Sequence, residues 1–246
     1  MDMSQALWIA LTELRRRWIG LAGGILFALF LGLMFGTLLN GYIRDPESAN
    51  MNDLMVDYLL IAVLPVMGTA FSREYLSWSS LKEDPFLRRL SFLRMWPIPL
   101  SVIVWSRLIY SLISYVAGTL ALFAAMTAVG WNGYVSQWGL PLYGFFLLFW
   151  FGYGLTLCGL FTCLEFGIRF KTYTVISFIL VFTLFGGLIT WHDLDWNQER
   201  AIFERVLHLV QTYEALPGLV ACLAAVGFVG LWKHVMTRRI TRIDLP

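Results

Sequence analysis

Charge is what this chain has least of. Asp, Glu, Lys and Arg make up 14% of its 246 residues, against about 25% in soluble globular domains. With 59% hydrophobic residues and a mean hydropathy of +0.69, a water-soluble fold is excluded and the chain belongs in a bilayer. Histidine is nearly as scarce, with 3 residues: His192 and His208 fall in one loop and His234 at the end of an apolar run. No metal or nucleophile cluster can assemble within the membrane from these. No two Glu are adjacent and no G-x-S string occurs, which removes the signatures of intramembrane metalloproteases and serine proteases. Nor is there a G-x-x-x-x-G-K-[ST] string, so the chain has no phosphate-binding loop of its own. It reads as a non-enzyme without bound cofactor or metal. Cys158, Cys163 and Cys222 show no ligand or redox spacing and read as small packing residues.

What is present is apolar length. Uncharged runs cover Trp18 to Ile43, Tyr58 to Ser72, Leu108 to Leu164, Thr172 to Trp191 and Ala215 to Trp232. A spanning helix needs about 20 apolar residues, so the 57-residue run from Leu108 holds two spans. The turn between them is "GWNGYVSQWGLP", residues 130 to 141, with its Gly, Pro and polar residues. The expected fold is therefore an all-α integral membrane protein, a single transmembrane domain over 1–246. Its six spans are expected near 18–40, 54–72, 97–129, 138–164, 172–190 and 215–236.

Lys and Arg set the orientation, because loops on the cytoplasmic side carry the excess. With the N-terminus inside, 15 of the 18 Lys and Arg lie on the inner side, and only Arg44, Arg200 and Arg205 lie outside. Both termini are then cytoplasmic, in a multi-pass membrane protein. The net charge of +2 follows from that bias and implies no nucleic acid. The three Arg before the first apolar run imitate a secretory signal, but the run is too long and lacks an A-x-A site, so it is expected to remain as a span.

Smaller features lie around the spans. "SQALWIALTELRRRW" places Leu7, Leu11, Leu14 and Trp18 at helical spacing, as an amphipathic helix at the inner interface or a cytoplasmic extension of span 1. Gly32 and Gly36 form a G-x-x-x-G in span 1 that permits close helix approach. Gly152, Gly154, Gly159, Gly186 and Gly187 suggest tight packing of spans 4 and 5. The outer loop after span 5 is expected to hold an amphipathic helix with Asp195 and Gln198 as a capping box. Its apolar face would comprise Ile202, Val206, Leu209 and Tyr213, flanked by Phe203, Leu207 and Val210, and lie in the outer interface or on the span tops. Spans 1 and 5 hold no ionisable residue, those in the others lie near the ends, and Asp57 and Arg107 are the candidates for a role inside the membrane. Asp57 reads as an interfacial carboxylate and Arg107 as a side chain that snorkels to the inner surface; the competing reading makes them part of an ion-coupled carrier.

One charged stretch stands apart. "REYLSWSSLKEDPFLRRLSFLRMWPIP", residues 73 to 99, holds eight charged residues between Arg73 and Arg94. Asp84 followed by Pro85 starts a helix that runs to about Met95, where Pro97 and Pro99 end it. Its Phe86, Leu87 and Leu90 exceed what a loop that merely fixes topology requires. They point to a surface that another protein covers.

The string "DPFLRRLSFLRMWPIPLSVIVWSRL" resembles the loop between spans 2 and 3 of bacterial ABC-2 type exporter permeases, particularly the small six-span subunits of Gram-positive type. The likeness is concentrated in residues 73 to 107. It implies that the segment is a coupling helix seated in a groove of an ATP-binding subunit, with Glu83, Asp84, Pro85, Phe86, Leu87, Arg88 and Arg89 carrying the contact. "EFGIRFK", residues 165 to 171, would supply a second contact through Glu165, Arg169 and Lys171. The resemblance further implies ATP and magnesium on the partner ATPase, a second permease chain as homodimer or heterodimer, and alternating exposure of a cavity between the two. The apolar spans favour a hydrophobic or amphipathic cargo such as a peptide, lipid or drug-like molecule. The alternative is a membrane scaffold or immunity protein that binds a peptide and transports nothing.

Overall fold

The computed structural model describes residues 3–44, 50–68, 84–166, 168–193 and 201–241. Every regular element among them is helical. Five helices are long and apolar enough to cross a membrane: α2 (Trp18–Arg44), α6 (Leu100–Gly130), α8 (Leu140–Glu165), α9 (Phe170–Asp193) and α11 (Leu216–Thr241). Around them lie α1 (Met3–Arg16), α3 (Asn50–Tyr58), α4 (Leu64–Val66), α5 (Pro85–Arg94), α7 (Tyr134–Trp138) and α10 (Ile202–Tyr213). The multi-pass membrane character expected from composition is thus carried by five helices. Of the segment expected as span 2, the end beyond Gly68 lies outside the described residues.

That segment is not a plain helix. Between α3 and α4 the chain widens into a π turn over Leu59–Val63, just ahead of Pro65. Proline removes the N–H that an α-helix would offer the carbonyl four residues earlier. That carbonyl belongs to Ile61, and the Tyr153 hydroxyl donates to it at 3.1 Å. The distortion therefore leaves no orphaned acceptor, and α8 is tied to the segment at the same point.

Close packing is set by small residues. A Cβ at Gly32 would overlap the Leu122 carbonyl, and one at Gly36 would lie 2.7 Å from Val129 Cβ, so α2 lies directly against α6 as its G-x-x-x-G suggests. Gly152 does the same for α8 and α11, where a Cβ would stand 2.7 Å from the backbone of Ala221 and Cys222. Gly186 and Gly187 behave differently. A Cβ at either meets nothing within 4 Å, so they mark an open face of α9 rather than the tight packing expected. Phe178, Ile179 and Phe182 are exposed on that helix, as apolar side chains facing hydrocarbon would be.

A chain of polar groups inside the bundle is paired. Ser111 donates to the Gly68 carbonyl at 3.0 Å, Thr162 donates to Ser111 at 2.8 Å, and Cys158 Sγ lies 3.2 Å from Ser111 Oγ. Cys158 thus packs in the core as expected, with Gly68 leaving room for its sulfur. At the turn expected at 130–141, Gly139 takes a positive φ of 81°, which glycine accommodates without strain. Asn40 donates to the Val129 carbonyl at 3.0 Å, satisfying an acceptor at the end of α6.

At this same end of the bundle, α10 is held by a residue distant in sequence. Its N-cap is Ala201, which has no side-chain acceptor. Asp57 supplies one from α3, accepting from Ile202 N–H at 2.7 Å and Phe203 N–H at 2.8 Å. Glu204 bonds back to the Ala201 backbone and completes the box. Asp57 is fully buried, so it is a structural cap rather than an interfacial carboxylate. The expected capping pair, Asp195 and Gln198, lies outside the described residues. Phe203, Val206 and Val210 are buried and Phe203 packs edge-on to Tyr42, whereas Leu209 and Tyr213 are exposed. The helix rests on the ends of the long helices.

Candidate functional site

The other end of the bundle gathers nearly all of its charge around α5. The helix begins as its Asp-Pro start requires, with Pro85 in the first turn and Arg88 N–H bonded to the Asp84 carbonyl at 3.2 Å. Asp84 adopts a left-handed conformation, φ 49° and ψ 63°, which aspartate tolerates better than most residues. Turned this way, its carboxylate leaves its own helix and accepts from Phe170 N–H at 2.8 Å, capping α9 instead. The expectation that Asp84 starts α5 holds for its position; its side chain caps a different helix. At the far end, Ile98 N–H bonds to the Trp96 carbonyl at 2.7 Å across Pro97, a three-residue turn that leads through Pro99 into α6.

Other bonds fasten α5 and its surroundings to helix ends. Arg94 Nη2 donates to the Ile240 carbonyl of α11 at 3.4 Å, and Arg239 Nη1 donates to the Cys163 carbonyl of α8 at 3.1 Å. Both place a cation where a helix presents its unpaired carbonyls and the negative end of its dipole. Beneath them Leu90 is buried in a cluster with Ile103, Val104, Leu108, Cys163, Met236 and Ile240. α5 is therefore seated on α6, α8 and α11 by apolar burial and pinned at its rim by charge.

The deepest part is an ion-pair network. Arg107 Nη2 donates to both Glu165 oxygens, at 2.7 and 2.6 Å, with the two side chains 4% and 6% exposed. The guanidinium lies 4.7 Å above the Tyr110 ring. Arg107 does not snorkel to the surface; it meets a carboxylate of matching burial. Glu13 of α1 joins this pair to α5: it is bonded to Arg89, and lies 3.5 Å from Arg17 and 3.9 Å from Arg107. Burial, and then Arg107, push the Arg89 pKa down from its ordinary value, yet arginine still keeps its charge at any physiological pH.

α1 is turned differently from its sequence periodicity. Ala6, Ala10 and Leu14 are buried beside Tyr110 of α6, while Leu7, Trp8, Leu11 and Trp18 are exposed. The small alanines let α1 approach α6 closely enough for Glu13 to reach Arg89 and Arg107. Ala6, Ala10, Glu13 and Arg17 share one helix face by their spacing, a signal present in the sequence but overshadowed by the larger leucines.

The residues expected at a partner contact are thus distributed unevenly. Glu83 lies outside the described residues, and Pro85, Phe86 and Leu87 form the first turn of α5. Asp84 and Arg89 turn inward to Phe170 and Glu13, and Glu165 is spent on Arg107. Arg88, Arg169 and Lys171 are exposed. Next to Arg88 the structure exposes Phe92 (54%), Met95 (74%) and Trp96 (57%), with Phe92 edge-on to Trp96. Arg88 and Phe92 lie one turn apart on α5, and Met95 and Trp96 follow directly after its last residue, so a cation and three large apolar groups are exposed at this end of the helix.

The described residues contain no group of His, Cys, Asp and Glu able to hold a metal ion. No protein-family model matches the chain, and no curated protein is detectably similar to it in sequence.

Proposed function

We propose that this chain is the membrane-spanning permease subunit of an ATP-binding cassette exporter of ABC-2 type, with the ATPase on a separate chain. In this reading α5 is the coupling helix on the cytoplasmic side, and Arg88, Phe92, Met95 and Trp96 are the surface that an ATP-binding subunit covers. The observation that carries it is the attachment of α5: one short helix is bonded to α1 through Arg89, to α9 through Asp84 and to α11 through Arg94, and continues into α6. A force applied to that helix reaches four other helices at once, as a transmission element requires. A loop that only fixed topology would need none of these bonds.

The permease works with a second copy or a second permease, and nucleotide-driven closure of two ATPase subunits pulls the coupling helices and alternately exposes a path for a hydrophobic or amphipathic cargo. ATP and magnesium reside on the partner. The test is affinity capture of the solubilised chain from its own host, beside the variant Arg88→Glu with Phe92→Asp, followed by mass spectrometry. An ATP-binding subunit that accompanies the wild type and is lost from the variant supports the reading. No ATPase with either chain overturns it and moves the peptide-binding scaffold or immunity reading to first place.

A further inference from the structure

We propose that Glu13 is the positioning residue that holds the coupling helix in register with the spans, so that α1 acts as a clamp on α5. This rests on the permease reading only for what moves α5; the clamp itself is a property of the chain. The argument begins with charge. Among the described residues, three guanidinium groups, Arg17, Arg89 and Arg107, converge on two carboxylates, Glu13 and Glu165. Glu165 is committed to Arg107 by two short bonds. Glu13 then accepts from Arg89 and stands within ion-pair distance of Arg17 and Arg107, with its side chain only 13% exposed.

Two cations confined in a water-poor site repel each other unless a carboxylate stands between them. With Glu13 present, Arg89 is drawn inward and α5 lies down on Leu90 and its neighbours. Without that carboxylate, Arg89 loses the bond that ties α5 to α1 and still faces the charge of Arg107, and the least costly relief is for α5 to swing outward and hydrate its arginine. Glu13 can do this because of the residues that place it: Ala6 and Ala10 are fully buried against α6 and fix how far α1 stands from Arg107. The route from α5 to α8 then runs Arg89, Glu13, Arg107, Glu165, across four helices and independent of the covalent link from α5 to α6. A displacement of α5 either carries that chain of charges with it or breaks it at Glu13.

Hydrogen–deuterium exchange of the full chain in lipid nanodiscs tests this, comparing wild type, Glu13→Gln, Arg89→Gln and the double variant. The clamp requires the amides of 88–94 to exchange on the order of tenfold faster in Glu13→Gln, the effect of losing one charge-assisted hydrogen bond. It also requires α1 amides to remain as in wild type and Arg89→Gln to speed 88–94 as Glu13→Gln does, with the double variant no faster than either single one. Exchange of 88–94 within about twofold of wild type in Glu13→Gln, loss of protection confined to α1, or losses that add in the double variant would each overturn it. No ATPase enters the measurement, so capture of no ATPase from the host would sink the permease reading and leave the clamp to be decided by exchange alone.

Discussion

Breaking the Arg107 and Glu165 pair from each side in turn should give unequal losses. The two side chains are 4% and 6% exposed and share bonds of 2.7 and 2.6 Å, so neither charge has water to fall back on. Removing one partner of a buried pair costs about 3–5 kcal/mol, most of it for the charge left behind. Glu165→Leu leaves Arg107 with Glu13 still 3.9 Å away, able to close part of the gap, so a loss near the lower bound of about 3 kcal/mol is expected. Arg107→Met leaves Glu165 without the guanidinium that took both its oxygens, and the loss should approach about 5 kcal/mol. The double variant removes both charges and should lie within about 1–2 kcal/mol of wild type. Denaturation of the purified chain in mixed micelles, run as a double-mutant cycle, reads all three. Single losses below about 1 kcal/mol, or a double variant as damaged as the sum of the singles, would show that the two side chains are not a mutually dependent buried pair.

Three further outcomes follow from other parts of the molecule. Asp57→Ala should lose about 1–2 kcal/mol of local stability in α10, seen as faster amide exchange at Ile202 and Phe203 while the long helices stay protected. Gly32→Leu should lower the melting temperature sharply because its Cβ overlaps the Leu122 carbonyl, whereas Gly186→Leu should leave the isolated chain unchanged because nothing lies within 4 Å. Burial raises the Glu204 carboxyl pKa above its ordinary 4.5, against the pull of its bond to Ala201. The protonated form is therefore favoured by folding, and that stabilisation is lost as pH rises through the raised value. Glu204→Gln should flatten the decline in melting temperature between about pH 4 and neutrality; equal slopes for the two proteins would refute the shift.

The parts of the fold that were legible in the sequence were those written in long, local patterns. Five of the expected spans appear as helices because uncharged length alone specifies them, and α5 appears because Asp84, Pro85, Pro97 and Pro99 bracket it. The G-x-x-x-G of α2 was likewise readable, since close approach leaves a trace in glycine spacing. What escaped were bonds between residues far apart in the chain. Asp57 lies 145 residues from the helix it caps, Asp84 lies 86 from Phe170, and Arg107 lies 58 from Glu165. Each of these side chains had a sound local explanation as an interfacial, self-capping or snorkelling group. Only the packing of the helices reveals the distant partner. For the same reason spacing alone cannot say which face of α5 the bundle buries, and the exposure of Phe92, Met95 and Trp96 is legible only in the structure.

The measurement that bears most directly on the whole account is photo-cross-linking in the host membrane from a benzoylphenylalanine placed at Phe92, with the adduct identified by mass spectrometry. A permease whose coupling helix is α5 should give a single dominant adduct to a soluble ATP-binding subunit, lost when Arg88 is changed to Glu. Adducts only to lipid, or to a protein without a nucleotide-binding loop, would contradict the assignment of α5 as the element through which ATP hydrolysis reaches this chain.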